Sequence, residues 1–207
     1  MMPALTLSQR EILDAAAQLF RENGFPGTNI KMIGQKLNLT SAALYYHFPT
    51  KDSILKTVMT DGIEQVGNAV RNAMASVDQE PRNYFRIRAG LRAHVVASLK
   101  YQDYVTVVLQ EMRYLSAHSY QEVVRVRDNY EEIWRQELAI GQAEGLIRMD
   151  VDIHLLRLLG FGAMNWVPIW YRPNYSLTPD AIADGFVNFM VKGVVSEPFR
   201  KWADNLN

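Results

Sequence analysis

TNIKMIGQKLNLTSAALYYHFPTK, the stretch Thr28–Lys51, decides the fold because it has the pattern of two short helices joined by a tight turn. The apolar residues of the first helix fall at i, i+3 and i+7, which places them on one buried face: Ile30, Ile33 and Leu37. A polar turn follows, and a hydroxyl from Thr40 or Ser41 can cap the second helix. The stretch therefore predicts a helical hairpin.

The second helix of this hairpin turns small polar and aromatic groups to solvent. Leu44 and Phe48, four residues apart, anchor it to the core. Its outer face carries hydroxyls, a methyl group and an imidazole from Ser41, Ala42, Tyr45, Tyr46 and His47. Such a face fits the major groove of DNA, which is about 12 Å wide and admits one helix. The pattern favours a DNA-reading helix-turn-helix, with a core hairpin whose tyrosines only cover the surface as the alternative.

A longer series of spacings surrounds the hairpin. Before it lie a first helix with one apolar face and a Gly24-Phe25 stop, and after it lies Leu55. The apolar residues of the first helix are Ile12, Ala16, Leu19 and Phe20. With these features the amino-terminal part of the chain resembles the DNA-binding domain of the tetracycline-repressor-like (TetR) family of transcriptional regulators. The resemblance implies an all-α fold and a dimer.

The resemblance also implies which side chains read bases. Ser41, Ala42 and Tyr45 match the positions that contact base edges in the family. Many relatives carry a lysine-glycine pair where this chain has Ser41-Ala42. The base preference is therefore left open, while binding in the groove is expected.

Contacts to DNA phosphates follow from the same resemblance. Tyr46, His47 and Lys51 match the positions that hold phosphates. Thr28 stands at the amino end of the second helix and matches a further backbone contact, because free N–H groups there favour an anion. Thr40, which precedes the reading helix, completes the predicted DNA-binding set.

The charge balance indicates a local DNA surface. Residues 1–56 carry six basic and four acidic side chains, and the net charge of the whole chain is zero. A neutral protein cannot coat nucleic acid by charge alone. Useful affinity is therefore expected from a dimer that makes several phosphate contacts at once.

Composition excludes several other classes of protein. The chain has 207 residues, 48% of them apolar, which is enough for a real core. It has no cysteine, so disulfides, thiolate chemistry and cysteine-based zinc sites are excluded. Neither a signal peptide nor a membrane span is predicted, and we expect a cytoplasmic protein without a membrane partner.

Helical periodicity continues beyond residue 51, so the sequence predicts an all-α fold of about nine helices. The predicted domains are a helix-turn-helix domain over residues 1–52 and a ligand-binding and dimerisation domain over 53–207. Thr50 caps the predicted fourth helix, Asp150 or Asp152 opens the eighth, and Thr178 caps the ninth. The fifth, sixth and seventh are expected near residues 84–99, 104–115 and 120–144.

The last two long helices carry apolar faces that predict a dimer interface. On the eighth helix the face consists of Leu155, Leu158, Leu159, Gly162, Ala163 and Trp166. On the ninth it consists of Phe186, Phe189, Met190 and Val194. Together with their symmetry mates these faces can form a four-helix bundle. The alternative is that both faces are buried inside one monomer.

The middle of the chain is rich in aromatic residues, methionine and arginine, which suits an amphiphilic ligand with an anionic head. Two segments, Glu111–Leu115 and Ala163–Pro173, resemble the branch of the family that responds to acyl-coenzyme A thioesters. That resemblance implies an acyl chain among the aromatics and arginines on the phosphates. The predicted ligand-binding residues are Arg88, Arg92, Tyr104, Met112, Arg113, Tyr130, Trp134, Asn165, Trp166 and Trp170. The alternative ligand is an aromatic acid, a drug or another hydrophobic molecule.

No catalytic motif is found, and no cofactor is expected. The four histidines are widely separated, and none is three or four residues from another as in a helical metal pair. Gly160-Phe-Gly162 lacks the third glycine and the preceding strand of a nucleotide loop. We therefore predict a transcriptional regulator and no enzyme, with a helical scaffold that binds only protein as the other alternative.

Overall fold

The computed structural model describes residues 7–204, and all its regular elements in that range are helical apart from one isolated β-bridge. The helices are α1 Leu7–Gly27, α2 Ile30–Leu37, α3 Ser41–His47, α4 Lys51–Ala75, α5 Arg82–Lys100, α6 Gln102–Glu111, α7 Ala117–Ala143, α8 Ile153–Trp170, α9 Pro179–Val194 and α10 Glu197–Asp204. A 3₁₀ turn, Met112–Tyr114, follows α6. The predicted all-α fold is confirmed, and α10 is the helix that the sequence did not indicate.

Polar side chains cap the amino ends of several helices at positions that the sequence predicted. Thr40 accepts a hydrogen bond from the Ala43 N–H at 3.2 Å, so Thr40 rather than Ser41 caps α3. Asp152 caps α8, and Thr178 caps α9 ahead of a proline in the first turn. These caps satisfy N–H groups that have no partner within the helix.

The junction between α6 and α7 differs from the prediction. Helix α6 ends at Glu111, and α7 begins at Ala117, three residues before the expected start. The early start of α7 is stabilised by a residue far away in the sequence. The Asp52 carboxylate accepts hydrogen bonds from the Ser116 N–H at 2.8 Å and from the Ser119 hydroxyl at 2.5 Å. Burial raises the pKa of Asp52, but these hydrogen bonds outweigh it and hold the pKa below its usual value.

The chain forms two compact units. Among the residues described, the first comprises those up to Glu64 together with Tyr101–Asp128. Its core is the amphipathic face of α1 packed on the hairpin, with fully buried Ile33 from α2 and Leu44 from α3. Helix α6 also packs on α1, and the Tyr104 hydroxyl donates to Asp14 at 2.5 Å. Helix α1 therefore packs on both the hairpin and α6.

The second unit comprises Gln65–Lys100 and the chain from Asn129 onward. Helix α5 is central and packs against α8 and α9. Close packing shows at Gly90, where a Cβ atom would lie 2.2 Å from the Met74 side chain and 3.0 Å from Trp134. The one β-bridge of the described chain joins Ile147 to Val195 and ties the α7–α8 connection to the end of α9.

Gly34 offers a direct test of the hairpin. A Cβ atom at this position would lie 2.6 Å from the Leu39 carbonyl oxygen, which is backbone and cannot move aside. We expect Gly34→Ala to lower the free energy of unfolding by about 1–3 kcal/mol, the range for overpacking a filled site. Denaturant unfolding followed by circular dichroism measures the change.

Gly27→Ala is the matched control, because its added methyl would meet only the Asn23 Cβ at 3.5 Å, an ordinary contact. We expect its free energy of unfolding to stay within about 0.5 kcal/mol of the parent protein. Equal stability of the two variants would show that the turn is looser than described.

Candidate DNA interface and effector cavity

The turn between α2 and α3 is held by backbone hydrogen bonds. Asn38 adopts a left-handed conformation with φ 56°, which asparagine tolerates better than most residues. Its N–H donates to the end of α2, and the Leu39 N–H donates to the Gly34 carbonyl at 2.8 Å. Because these bonds fix the turn, they also fix the direction of α3.

The outer face of α3 is open to solvent as the pattern predicted. Ser41, Ala42 and Tyr45 are exposed, and Tyr46 has 86% of its surface exposed. His47 is half-buried, and its ring meets that of Tyr46 edge to face at 5.2 Å. Two phenol hydroxyls, a serine hydroxyl and an imidazole therefore stand on one surface, where each can form hydrogen bonds with DNA.

Two of the predicted phosphate contacts, Thr28 and Lys51, form hydrogen bonds within the protein. Thr28 is 1% exposed, and its hydroxyl donates to the carbonyls of Leu19 and Gly24 at 3.0 and 2.9 Å. Asn29, for which the sequence pattern gave no prediction, caps α2. The Thr28 side chain thus joins α1 to α2, and an anion at the start of α2 would meet backbone N–H groups.

Lys51 is also partly turned inward. Its ammonium group donates to the Phe25 carbonyl and lies 4.0 Å from the centre of the Phe25 ring. Burial lowers the pKa of Lys51, and the nearby Glu111 carboxylate partly offsets this effect. Lys51 therefore holds the end of α1 as well as standing beside the reading helix.

An apolar cavity of about 50 Å³ lies inside the second unit. Side chains from α5, α7, α8 and α9 and from the bridged segments line it. They are Tyr84, Ile87, Leu91, Trp134, Leu138, Leu146, Ile147, Leu156, Arg157, Gly160, Phe161, Met164, Met190, Val191, Val194 and Val195. Its chemistry is that of a site for an apolar molecule.

Arg157 is the one charged residue in this lining. Its side chain is 13% exposed and forms an ion pair with Glu131 of α7. Arg157 is not among the ligand-binding residues predicted from the sequence, although it and His154 are the only basic or acidic side chains in the apolar helix α8. An isolated cation in an apolar helix was the available signal.

Among the predicted ligand residues, Trp134 lines the cavity. Tyr130 lies next to it and accepts a hydrogen bond from the Trp134 indole N–H at 3.0 Å. Arg88 stacks over Tyr84, outside the lining. Arg92 is paired with Asp180 and Asp184 of α9 at 2.5 and 3.0 Å, and so ties α5 to α9 on the surface.

The remaining predicted ligand residues lie elsewhere. Tyr104, Met112 and Arg113 belong to the first unit, where burial and the hydrogen bond to Asp14 raise the pKa of Tyr104. Trp166 lies on the exposed face of α8, and Trp170 stacks on Tyr175 at 6.2 Å. The last is Asn165, half-buried on α8. Their contact with a ligand stays a prediction.

Helices α8 and α9 each expose large apolar side chains. Leu159 and Trp166 are each 63% exposed, and Phe189 of α9 is 75% exposed. Met190 and Val194, which the sequence analysis placed on the same face, line the cavity instead. So large an apolar surface is typical of a protein interface.

Two further properties bear on function. Within residues 7–204 no three histidine, aspartate or glutamate side chains come together as metal ligands. None of the helices described has both the length and the apolar character needed to cross a membrane.

Two family models match the chain across these regions. The model described as bacterial regulatory proteins, tetR family, matches residues 12–58, which include α2 and α3. The model described as tetracyclin repressor-like, C-terminal domain, matches residues 82–194, which include most of the cavity lining.

Known proteins resemble the chain over most of its length. The HTH-type transcriptional repressor KstR2 of Rhodococcus jostii (strain RHA1) is 29% identical over 194 residues, which cover 90% of each chain. The crystal structure of PfmR, a TetR family transcriptional regulator from Thermus thermophilus, is 27% identical with a TM-score of 0.79 and covers 87% of this chain and 97% of its own. AibR, crystallised with isovaleryl coenzyme A and operator DNA, is 25% identical with a TM-score of 0.78 and covers 87% and 96%.

The exposed Tyr46 hydroxyl is the predicted phosphate contact that is easiest to test. We expect Tyr46→Phe to weaken binding about three- to tenfold on specific and unrelated DNA alike, because it removes one hydrogen bond that carries no sequence information. Fluorescence anisotropy at fixed salt measures this affinity. Tyr120→Phe, at an exposed tyrosine of α7, is the control and should leave the affinity unchanged. Unchanged affinity of Tyr46→Phe would exclude Tyr46 as a phosphate contact.

Proposed function

Because the chain belongs to the tetR family of bacterial regulatory proteins, we propose that it represses transcription by binding a near-palindromic operator as a homodimer. A small hydrophobic effector releases it. The observation that carries this proposal is the open polar and aromatic face of α3 on a rigid turn. A protein with this task works in the cytoplasm, where the DNA is.

Each part of the reading helix has its own task in this proposal. Ser41, Ala42 and Tyr45 meet base edges in the major groove, and Tyr46 and His47 hold the backbone. Residues 1–52 act as the reading domain, and 53–207 bind the effector and form the dimer. The short Ser41 and Ala42 side chains leave room for a base edge to approach the helix.

The dimer is formed through the exposed faces of α8 and α9. An operator with two half-sites needs two reading helices about 34 to 36 Å apart, which one chain cannot supply. On α8 the small residues Gly162 and Ala163 stand between Leu159 and Trp166, so that a symmetry-related helix can approach closely. Two copies of each helix give a four-helix bundle.

A charged residue introduced into this face tests whether the face forms the dimer interface or is buried within one monomer. We expect Leu159→Glu to shift the protein from dimer to monomer at micromolar concentration, because each subunit would bury an unpaired carboxylate. Sedimentation velocity measures the mass, and DNA affinity should fall with it. Leu177→Glu, at another exposed leucine that lies outside both helices, is the control and should stay dimeric. A dimer that persists in Leu159→Glu would place the interface elsewhere.

The effector in this proposal is an acyl-coenzyme A thioester bound in the cavity of the second unit. The apolar walls suit an acyl chain, and Arg157 can exchange Glu131 for an anionic group of the coenzyme. AibR, a relative of this chain, was crystallised with isovaleryl coenzyme A. The aromatic rings of Tyr84, Trp134 and Phe161 in the walls favour a flat aromatic effector as the second candidate.

Release requires that the effector binds the DNA-free state more tightly than the DNA-bound state. The cavity of about 50 Å³ has to grow, since ligand pockets usually enclose about 300–1,000 Å³. Helix α4 is continuous from Lys51 to Ala75, and its residues belong to both units. A change of packing around the cavity therefore has a continuous helix through which to act on the reading domain.

Fluorescence anisotropy on DNA from upstream of the protein's own gene tests the function as a whole. We expect tight binding that one of a panel of acyl-coenzyme A thioesters relieves. Binding that no thioester relieves would overturn this effector class and leave the regulator. Absence of binding to that fragment and to operator-selected DNA would overturn the DNA-reading role and favour a protein scaffold.

Arg157→Met tests the position of the anionic group. We expect DNA affinity to stay unchanged and the thioester concentration for half release to rise at least about tenfold, because one charge-assisted hydrogen bond is lost. Arg92→Met is the matched comparison, since Arg92 is paired with two aspartates on the surface and should not affect release. A larger effect at Arg92 than at Arg157 would favour the assignment made from the sequence.

A further inference from the structure

Three buried aromatic side chains of the second unit form a hydrogen-bonded chain beside the cavity. The Trp134 indole N–H donates to the Tyr130 oxygen at 3.0 Å, and the Tyr130 oxygen lies 2.5 Å from His94 Nδ1. His94 is 3% exposed. Its other ring nitrogen, Nε2, is buried and has no hydrogen-bond partner.

The proton positions in this chain follow from its donors. An indole nitrogen can only donate, so the Tyr130 oxygen accepts that bond and its own proton goes to His94 Nδ1. Burial lowers the pKa of His94 to about 4 and outweighs the opposite effect of the Asn165 side chain, which interacts with the imidazole as a hydrogen-bonding neighbour, so the ring is neutral at pH 7. The proton of the neutral ring then lies on Nε2. Because Nε2 has no partner at normal hydrogen-bond geometry, Asn165 is a weak acceptor, and the buried N–H group of His94 is left poorly satisfied.

Phe161 connects this N–H group to the cavity. Its ring lines the cavity and also meets the rings of His94, Tyr130 and Trp134, with centroids 5.6, 5.8 and 6.2 Å apart. On α5 the lining residue Leu91 precedes His94 by one helical turn. Rotation of the Phe161 side chain would thus extend the apolar cavity toward a polar end.

A second polar atom lies one turn further along α5. The Ser98 side chain is buried, and its hydroxyl oxygen likewise has no hydrogen-bond partner. Residues three or four apart are neighbours on a helix face, so Leu91, His94 and Ser98 lie in this order along one face of α5. The face of α5 thus changes from apolar to polar in the direction of the extension.

We propose that His94 Nε2 donates a hydrogen bond to a neutral carbonyl oxygen of the effector, with Phe161 turning aside to admit it. This inference rests on the proposed acyl-coenzyme A effector and adds a second polar contact to that of Arg157. A neutral acceptor is favoured over a carboxylate, because a buried carboxylate needs a paired cation and the cavity lining holds its one cation at Arg157.

The spacing along α8 sets where the carbonyl lies. Arg157, Phe161 and Asn165 follow one another at four-residue intervals on α8, so Asn165 lies about 12 Å along the axis from Arg157. Because Asn165 lies beside His94, the proposed donor to the carbonyl, the carbonyl is held about 12 Å from the anionic group at Arg157. It belongs either to the thioester itself or to a keto group further along the acyl chain.

Three ligands that differ only in their carbonyl groups test this inference. They are S-octyl-coenzyme A without a carbonyl, octanoyl-coenzyme A with the thioester carbonyl, and 7-oxooctanoyl-coenzyme A with a keto group as well. We expect a carbonyl ligand to bind the full-length protein about tenfold more tightly than S-octyl-coenzyme A in calorimetric titrations. If octanoyl-coenzyme A already binds more tightly than S-octyl-coenzyme A, the thioester carbonyl accepts the hydrogen bond. If only 7-oxooctanoyl-coenzyme A binds more tightly, the keto group accepts it.

Variants at His94 assign the preference to this side chain. His94→Phe should remove the preference and leave S-octyl-coenzyme A binding unchanged, whereas His94→Gln, which keeps an N–H donor, should retain part of it. His118→Phe, at an exposed histidine, is the control. Equal affinity for all three ligands, or a preference that survives in His94→Phe, would overturn the inference alone. Binding of none of them would overturn the acyl-coenzyme A effector and the inference together.

A measurement on the unaltered protein covers the case in which His94→Phe fails to fold. Nitrogen-15 NMR of the histidine side chains should show a neutral His94 with its proton on Nε2. The carbonyl ligand should move this proton signal downfield, and S-octyl-coenzyme A should not. An unmoved signal with bound carbonyl ligand would contradict the proposed hydrogen bond.

Discussion

The close approach of Gly34 to the Leu39 backbone is the constraint on which the proposed DNA contacts depend. Only a residue without a Cβ atom fits there, so α2 and the turn are packed backbone to backbone. Ile33 and Leu44 are both fully buried, so the inner faces of α2 and α3 belong to the core, and α2 packs on α1. Because the inner face of α3 is buried, only its outer face is exposed. That face carries the hydroxyls and rings that are proposed to contact DNA.

The second unit follows a different rule, because its interior is apolar with few polar exceptions. Where charge is buried it is paired, as Arg86 is with Glu137, whose hydrogen bonds raise the pKa of the arginine. Around Tyr130, uncharged polar groups are linked in a hydrogen-bonded chain, and burial raises the pKa of the Tyr130 phenol. Arg157 and His94 stand apart, since one faces an apolar cavity and the other keeps an unpartnered N–H group.

These two parts differ in how far the sequence could predict them. The α2–α3 hairpin is local: its faces, turn and cap lie within 24 consecutive residues, so periodicity located them. The cavity is not local, because its walls come from four helices and two connecting segments. Arg92 and Arg157 look alike in sequence, and only the aspartates at positions 180 and 184 place Arg92 on the surface. Likewise, the Thr28 hydroxyl was predicted at an exposed helix end, but the kink at Gly24 brings two carbonyls to it.

The small cavity limits which part of the effector can drive release. Moving a two-state protein from 1:99 to 99:1 requires about 5.5 kcal/mol of preference for one state. At Arg157 an effector anion would replace the Glu131 carboxylate, so the gain from this ion pair is limited to about 1.4 kcal/mol, which corresponds to the tenfold effect expected for Arg157→Met. Burial of methylene groups yields about 0.8 kcal/mol each, so about seven of them reach the required preference by themselves. The anionic group therefore sets orientation and specificity, while the apolar chain that has to enlarge the cavity supplies the free energy that separates the two states.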